Sequence, residues 1–167
     1  VLIDVNLLQT LPARTLGCGF AEAMKHGAIA DAALFAFMES ESARIRALEP
    51  DAVERVVRDS VIIKSTIVNA DEKEHGERRK LNFGHTFGHA IEKTLGLPHG
   101  ESIAIGMTVA ARISRQRGLL SEADVNRLIA VLHAYALPTA IAAEKSAVKD
   151  ALKKDKKRYG DRVKFVL

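Results

Sequence analysis

Leu81-Asn82-Phe83-Gly84-His85-Thr86-Phe87-Gly88-His89-Ala90-Ile91-Glu92 is the stretch on which the reading of this chain turns. Set on a helix, His85 and His89 differ by four residues, about 40° around the axis, and share one face. Gly84 and Gly88 repeat at the same interval. Glycine costs about 1 kcal/mol relative to alanine inside a helix, so two of them beside the histidines point to close approach of another backbone or a ligand. A pair of core histidines beside a tight helix contact is the plainer alternative; metal binding or catalysis is the reading the spacing favours. A catalytic metal commonly keeps three protein ligands and one open position, and on spacing alone His89 is the natural second ligand after His85. His99 is a further candidate, because a loop doubling back through Gly96-Leu97-Pro98 brings it towards His85. Glu22 is another. It stands among Phe20, Ala21, Ala23 and Met24, where an unpaired carboxylate is expensive, unless it is a surface acid near a helix start.

Outward from this stretch the apolar spacing is that of helices. One helix is predicted from Leu81 to Leu95, closed by Gly96 and Pro98, and the next follows His99-Gly100-Glu101 and runs to Arg117, with Gly118 as its cap. Ser121 and Asp124 form a capping box that opens another, ending before Pro138. A short helix over Glu144–Lys153 and a strand over Val163–Leu167 complete this side. On the other side, Val1–Val5 reads as a strand, Leu11-Pro12 opens a helix to Ala30, and a second helix spans Asp31–Leu48. A long third helix, Asp51–Asp71, carries the stripe Val53, Val56, Val57, Ile63, Ile67 and Val68, with Lys64 at its border. A lysine there costs desolvation unless an anion meets it. Glu72-Lys73-Glu74-His75 has the Glu-x-x-His spacing of di-iron bundles, but it occurs once, among polar neighbours, and reads as a solvated turn. His133 reads as a partly buried structural histidine. The expected class is all-α, with minor strand edges at the termini.

Composition narrows the function. At 167 residues, 47% apolar and 28% charged, the chain suits one globular domain with a real core. It has no apolar run of the roughly 18–20 residues a membrane span needs and no signal peptide. Cys18 has no partner for an internal disulfide, which suits a reducing cytoplasm. Trp is absent and aromatics make up 5%, so a base-stacking platform for nucleic acid is not expected. Much of the +4 net charge lies in Lys153, Lys154, Lys156, Lys157 and Arg158, either a solvated surface or an anion site. Gly-x-Gly-x-x-Gly, P-loop and Gly-x-Ser-x-Gly motifs are absent, so no dinucleotide fold is expected within the chain. Val1 in place of Met, and a terminal strand without a following turn, read as the ends of a piece of something longer.

From Asn82 to His89 the chain resembles the 3-dehydroquinate synthase family, and further matching segments follow in the family's order. These are Leu11-Pro12, Ala21-Glu22-Ala23-Met24-Lys25, Ile63-Lys64, Asp71-Glu72 through Gly76-Glu77-Arg78, His99 through Met107, and Asp155-Lys156-Lys157. The resemblance implies the helical C-terminal domain of such an enzyme over residues 12–167. Residues 1–11 would then be a connecting segment from an N-terminal NAD-binding α/β domain that this chain lacks. It implies Glu22, His85 and His99 as ligands of zinc or cobalt, and so turns His89 from ligand to substrate contact. Lys25, Lys64, Arg78, Asn82 and one of Lys156 and Lys157 match other substrate-contacting positions. Leu7, Leu8, Gln9 and Thr10 match a strip that touches NAD. Two departures stand out: His26, where the family usually has an aromatic, and a short loop before His99.

By this resemblance the activity is conversion of 3-deoxy-arabino-heptulosonate 7-phosphate to 3-dehydroquinate with release of phosphate, in the shikimate pathway of aromatic amino acid biosynthesis. NAD is used without net consumption. The expected partners are the sugar phosphate, the NAD-binding half and a second copy in a homodimer, with neither nucleic acid nor membrane, in the cytoplasm. Without its nicotinamide pocket the chain alone is expected to be inactive. Alternatives are a cyclase for another sugar phosphate, whose members tend to lose the second histidine and the terminal lysines kept here, or a non-catalytic helical module.

Overall fold

The computed structural model describes residues 2–141, 150, 152, 158–159, 162–163 and 165–167. Its helices are α1 (Ala13–Ala30), α2 (Ala32–Ser40), α3 (Ser42–Arg46), α4 (Pro50–Ala70), α5 (His85–Leu95), α6 (His99–Gln116) and α7 (Glu122–Ala134). Two 3-10 segments, Val5–Thr10 and Glu77–Asn82, precede α1 and α5. The strands β1 (Arg158–Tyr159) and β2 (Arg162–Val163) form a small antiparallel pair. The domain is all-α with a minor strand edge, as expected, and among the described residues no helix is long and apolar enough to cross a membrane.

Local chemistry sets the helix ends. Pro12 and Pro98 precede α1 and α6, and Pro50 occupies the first turn of α4, where a missing N–H costs nothing. Asp31 accepts from the N–H groups of Ala33 and Leu34 to cap α2. The Ser121–Asp124 capping box forms as read. Helix α6 is the hub, packed against α1, α5 and α7, and is buried on most of its surface from Gly100 to Ser114. Met24, Leu34, Met38, Ile45, Met107 and Leu132 fill the space around it. Its buried hydroxyls turn inward without penalty because Thr108 and Ser114 donate to the carbonyls of Ala104 and Ala110.

The structure corrects several elements. Among the described residues at the start of the chain, 2–10, no strand forms. With no neighbouring strand to pair its backbone, the Asp4 side chain instead accepts from Asn6 N and opens a 3-10 turn. The helix expected over Asp31–Leu48 divides at Glu41. The helix expected from Leu81 starts at His85, because Gly84 adopts a left-handed conformation (φ 76°). His133 is exposed rather than partly buried, and its Nε2 pairs with Thr139 Oγ1 at 2.8 Å. At the other end, β2 stops at Val163 and 165–167 are not strand. Of the helix predicted at Glu144–Lys153, only Asp150 and Leu152 lie inside the described residues, both helical.

Candidate metal centre

Three helices meet at the histidine motif because small residues let them. A Cβ on Gly106 of α6 would lie 2.0 Å from the Gly84 carbonyl oxygen, and one on Gly88 would lie 2.6 Å from Ile103 Cδ1. Only glycine permits α5 to lie this close to α6. On the other flank a Cβ on Gly100 would lie 2.2 Å from Cys18 Cα, so α1 approaches as closely. Arg14 of α1 then grips Glu101 of α6 through two hydrogen bonds of 2.5 and 2.8 Å. The close approach anticipated from Gly84 and Gly88 is that of a second helix backbone.

This packing brings Glu22 from the middle of α1 together with His85 and His99, the first residues of α5 and α6. Glu22 Oε1 stands 3.5 Å from His85 Nε2 and 3.7 Å from His99 Nε2, and one donor atom from each residue lies within 4.8 Å of the others. With both rings neutral, no proton lies between these groups. His85 Nδ1 is 3.1 Å from the Phe83 carbonyl and His99 Nδ1 is 3.1 Å from Glu92 Oε2, and both partners can only accept. Each Nδ1 therefore carries the hydrogen, and in a neutral ring each Nε2 is a lone pair. Glu22 Oε1 is buried without a hydrogen-bond partner. Three acceptors thus face one another, which favours a cation between them. Two donors each about 2.1 Å from a tetrahedral ion stand about 3.4 Å apart, close to both Glu22 separations. The donor set fits a divalent metal of zinc type.

Electrostatics keep these groups ready. Burial raises the Glu22 carboxyl, but the Lys25 charge and hydrogen bond, aided by His85 and His99, outweigh it and hold the acid below its ordinary value. Burial, then the Lys25 charge, lowers His85 to about 4, so its ring is neutral near pH 7. Lys25 is 3% exposed and donates to Glu22 Oε2 at 2.7 Å. Desolvation lowers its pKa against the pull of Glu22.

A cleft of about 210 Å³ opens beside the donors, lined by Glu22, Lys25, His26, Lys64, Glu74, Arg78, Leu81, Asn82 and His85. Lys25, Lys64, Arg78 and Asn82 are thus gathered in one place. The His89 ring packs 5.3 Å from that of His85 and 5.8 Å from that of His99. Lys64 is exposed at the cleft edge, and the buried lysine is Lys25. Leu7, Leu8, Gln9 and Thr10 are not among the residues lining this cleft, and Leu8 borders a separate apolar one with Leu11, Phe20 and Val56. Lys156 and Lys157 lie outside the described residues.

Sequence reasoning passed over three acids here. Glu74, read as part of a solvated turn, lines the cleft and accepts from Asn82 Nδ2 at 2.5 Å. Asp71 accepts from the backbone N–H groups of His75, Gly76 and Arg78 and so folds the loop that presents Arg78. Glu92 meets His99. The i,i+4 spacing of Glu74 and Arg78, and the seven-residue steps His85–Glu92–His99, were the available signals.

The family described as 3-dehydroquinate synthase C-terminal matches residues 19–158. The chain belongs to the 3-dehydroquinate synthase family. Among the relatives, a 3-dehydroquinate synthase of Pelobacter propionicus is 42% identical over 170 residues, covering 99% of this chain and 47% of that protein. One from Caulobacter vibrioides is 43% identical over 177 residues, covering 100% and 48%. The chain therefore spans just under half the length of these synthases. Among solved structures, the 2-epi-5-epi-valiolone synthase of Streptomyces hygroscopicus, with NAD+ and Zn2+ bound, aligns with a TM-score of 0.83 at 32% identity, covering 90% of this chain and 43% of that one. A 2-deoxy-scyllo-inosose synthase complexed with carbaglucose-6-phosphate, NAD+ and Co2+ aligns at 0.78 and 29% identity, covering 93% and 44%.

Proposed function

We propose that this chain is the metal- and substrate-binding half of a 3-dehydroquinate synthase, residues 12–167 forming that half and 1–11 the connection to an NAD-binding half. The reaction is the closure of 3-deoxy-arabino-heptulosonate 7-phosphate to 3-dehydroquinate with loss of phosphate. The observation that carries this is the convergence of Glu22 Oε1, His85 Nε2 and His99 Nε2 beside a cleft lined by Lys25, Lys64 and Arg78. Glu22, His85 and His99 would hold zinc or cobalt, and the bound ion supplies Lewis-acid polarisation of a substrate oxygen. Lys64 is an exposed point charge suited to phosphate or carboxylate, and Arg78 offers a planar fork for the same groups. Lys25 holds Glu22 ionised. Asn82, anchored on Glu74, presents its amide to substrate hydroxyls. His89 stands close enough to both ligand histidines to move a proton at the reacting carbon or oxygen. One of Lys156 and Lys157 adds a further cation, Leu7 to Thr10 touch NAD, and the working enzyme is a cytoplasmic homodimer. The solved relatives with NAD+ and Zn2+ or Co2+ support this cofactor pair.

A cyclase for another sugar phosphate is the second reading. The 42–43% identity to 3-dehydroquinate synthases, against 32% and 29% to the two solved cyclases, favours the first. The test is metal uptake by the purified chain. One zinc per chain is expected, abolished by Glu22→Ala or His85→Ala; uptake unaffected by either substitution refutes the centre. Phosphate release from the sugar phosphate should need the NAD-binding half as well, and release by this chain with NAD alone would refute that division of labour.

A further inference from the structure

Glu92 stands outside the proposed ligand set, yet the geometry gives it a task there. It lies on α5 seven residues after His85, two turns along the same face. The left-handed Gly96 and the Pro98 cap then turn the chain so that His99 lies over Glu92. The Glu92 Oε2 to His99 Nδ1 separation is 3.1 Å. Because the carboxylate can only accept, this bond fixes the hydrogen on Nδ1 and leaves the Nε2 lone pair facing Glu22 Oε1. The restraint matters more for His99 than for His85, since its side chain is 44% exposed against 12%, and packing holds it less.

We propose that Glu92 is a positioning residue of the metal centre, holding His99 in the Nδ1–H tautomer with Nε2 aimed at the ion. The inference rests on the metal reading above. A rival arrangement exists, because His89, Glu92 and His99 also place donor atoms within 4.8 Å of one another, which would make Glu92 itself a ligand. The 3.1 Å separation suits a hydrogen bond better than the about 3.4 Å between two donors on a tetrahedral ion.

Two measurements on the full chain decide it. In metal-free protein labelled with 15N at histidine, long-range 1H–15N spectra near pH 7.5 report the His99 tautomer. The expected result is Nδ1–H in the native protein, retained in Glu92→Gln, whose amide oxygen still accepts, and a mixture of tautomers in Glu92→Ala. Zinc affinity measured by chelator competition should fall about 10- to 100-fold in Glu92→Ala, with Glu92→Gln in between. An unchanged tautomer and unchanged affinity in Glu92→Ala would overturn the proposal. So would loss of uptake in Glu92→Ala with uptake kept in Glu22→Ala, which would make Glu92 a ligand. If the native chain binds no zinc, the metal reading fails, and the tautomer measurement still decides the role of Glu92.

Discussion

Burial holds two neighbouring imidazoles neutral well below their ordinary range. His85 is lowered to about 4 by burial and the Lys25 charge, and His26 likewise to about 4, with its Nδ1 2.5 Å from Ser60 Oγ. In the unfolded chain both titrate near 6.5. Between about pH 6.5 and 4 the unfolded state binds more protons than the folded one, so stability falls as pH falls through that window. Urea unfolding of the metal-free chain should therefore show a midpoint that drops from pH 7 to pH 5, and His26→Phe should flatten that drop. An equally steep drop in His26→Phe would remove His26 from the account. At this scale the sequence was partly legible. The His85–His89 spacing pointed to a site with His89 as second ligand; the donors that converge on His85 in the structure are those of Glu22 and His99. Helical spacing reports which face a residue shares, whereas the donors that meet are decided by what other helices bring, here Glu22 and His99. The resemblance supplied that set; Glu74, Asp71 and Glu92 act through loop and turn geometry that spacing does not encode.

Two elements determine whether the donors can meet. The α5–α6 contact depends on Gly106, whose added Cβ would strike the Gly84 carbonyl and, at 2.7 Å, Gly88 N. Gly106→Ala should destabilise the domain by about 3 kcal/mol or more and weaken zinc binding, read by thermal unfolding and metal titration. A variant with native stability would mean the helices are further apart than described. The loop between α4 and α5 depends on Asp71. Asp71→Ala removes the acceptor of three backbone N–H groups, so amide exchange at residues 75–78 should accelerate and affinity for inorganic phosphate in the cleft should fall, while zinc binding persists. Periodicity, prolines and the Ser121 capping box made most helices readable within a few residues. The failures share a cause. Leu81-Asn82-Phe83 suits a helix locally, and only the demand of the α6 contact for a left-handed Gly84 breaks it. Val1–Val5 suits a strand locally, and only the lack of a pairing strand among the described residues denies it one.

For the whole molecule, an ion held by Glu22, His85 and His99 would link elements from three parts of the chain, α1, α5 and α6, which also meet through small residues and the Arg14–Glu101 pair. Binding to the folded state alone should stabilise it by about 2.7 kcal/mol at free zinc one hundred times the dissociation constant. For a chain of this size that is a rise in Tm of about 5–10 °C, reversed by chelator and absent in Glu22→Ala. The all-α class was legible because apolar spacing is a property of each segment; the convergence of donors from three segments is a property of the assembled helices. The most direct measurement of that convergence is anomalous diffraction at the zinc edge from crystals of the chain grown with zinc. One peak is predicted, about 2.0–2.2 Å from each of Glu22 Oε1, His85 Nε2 and His99 Nε2; no peak, or one held by His89 and Glu92 with Glu22 and His85 turned away, would contradict it.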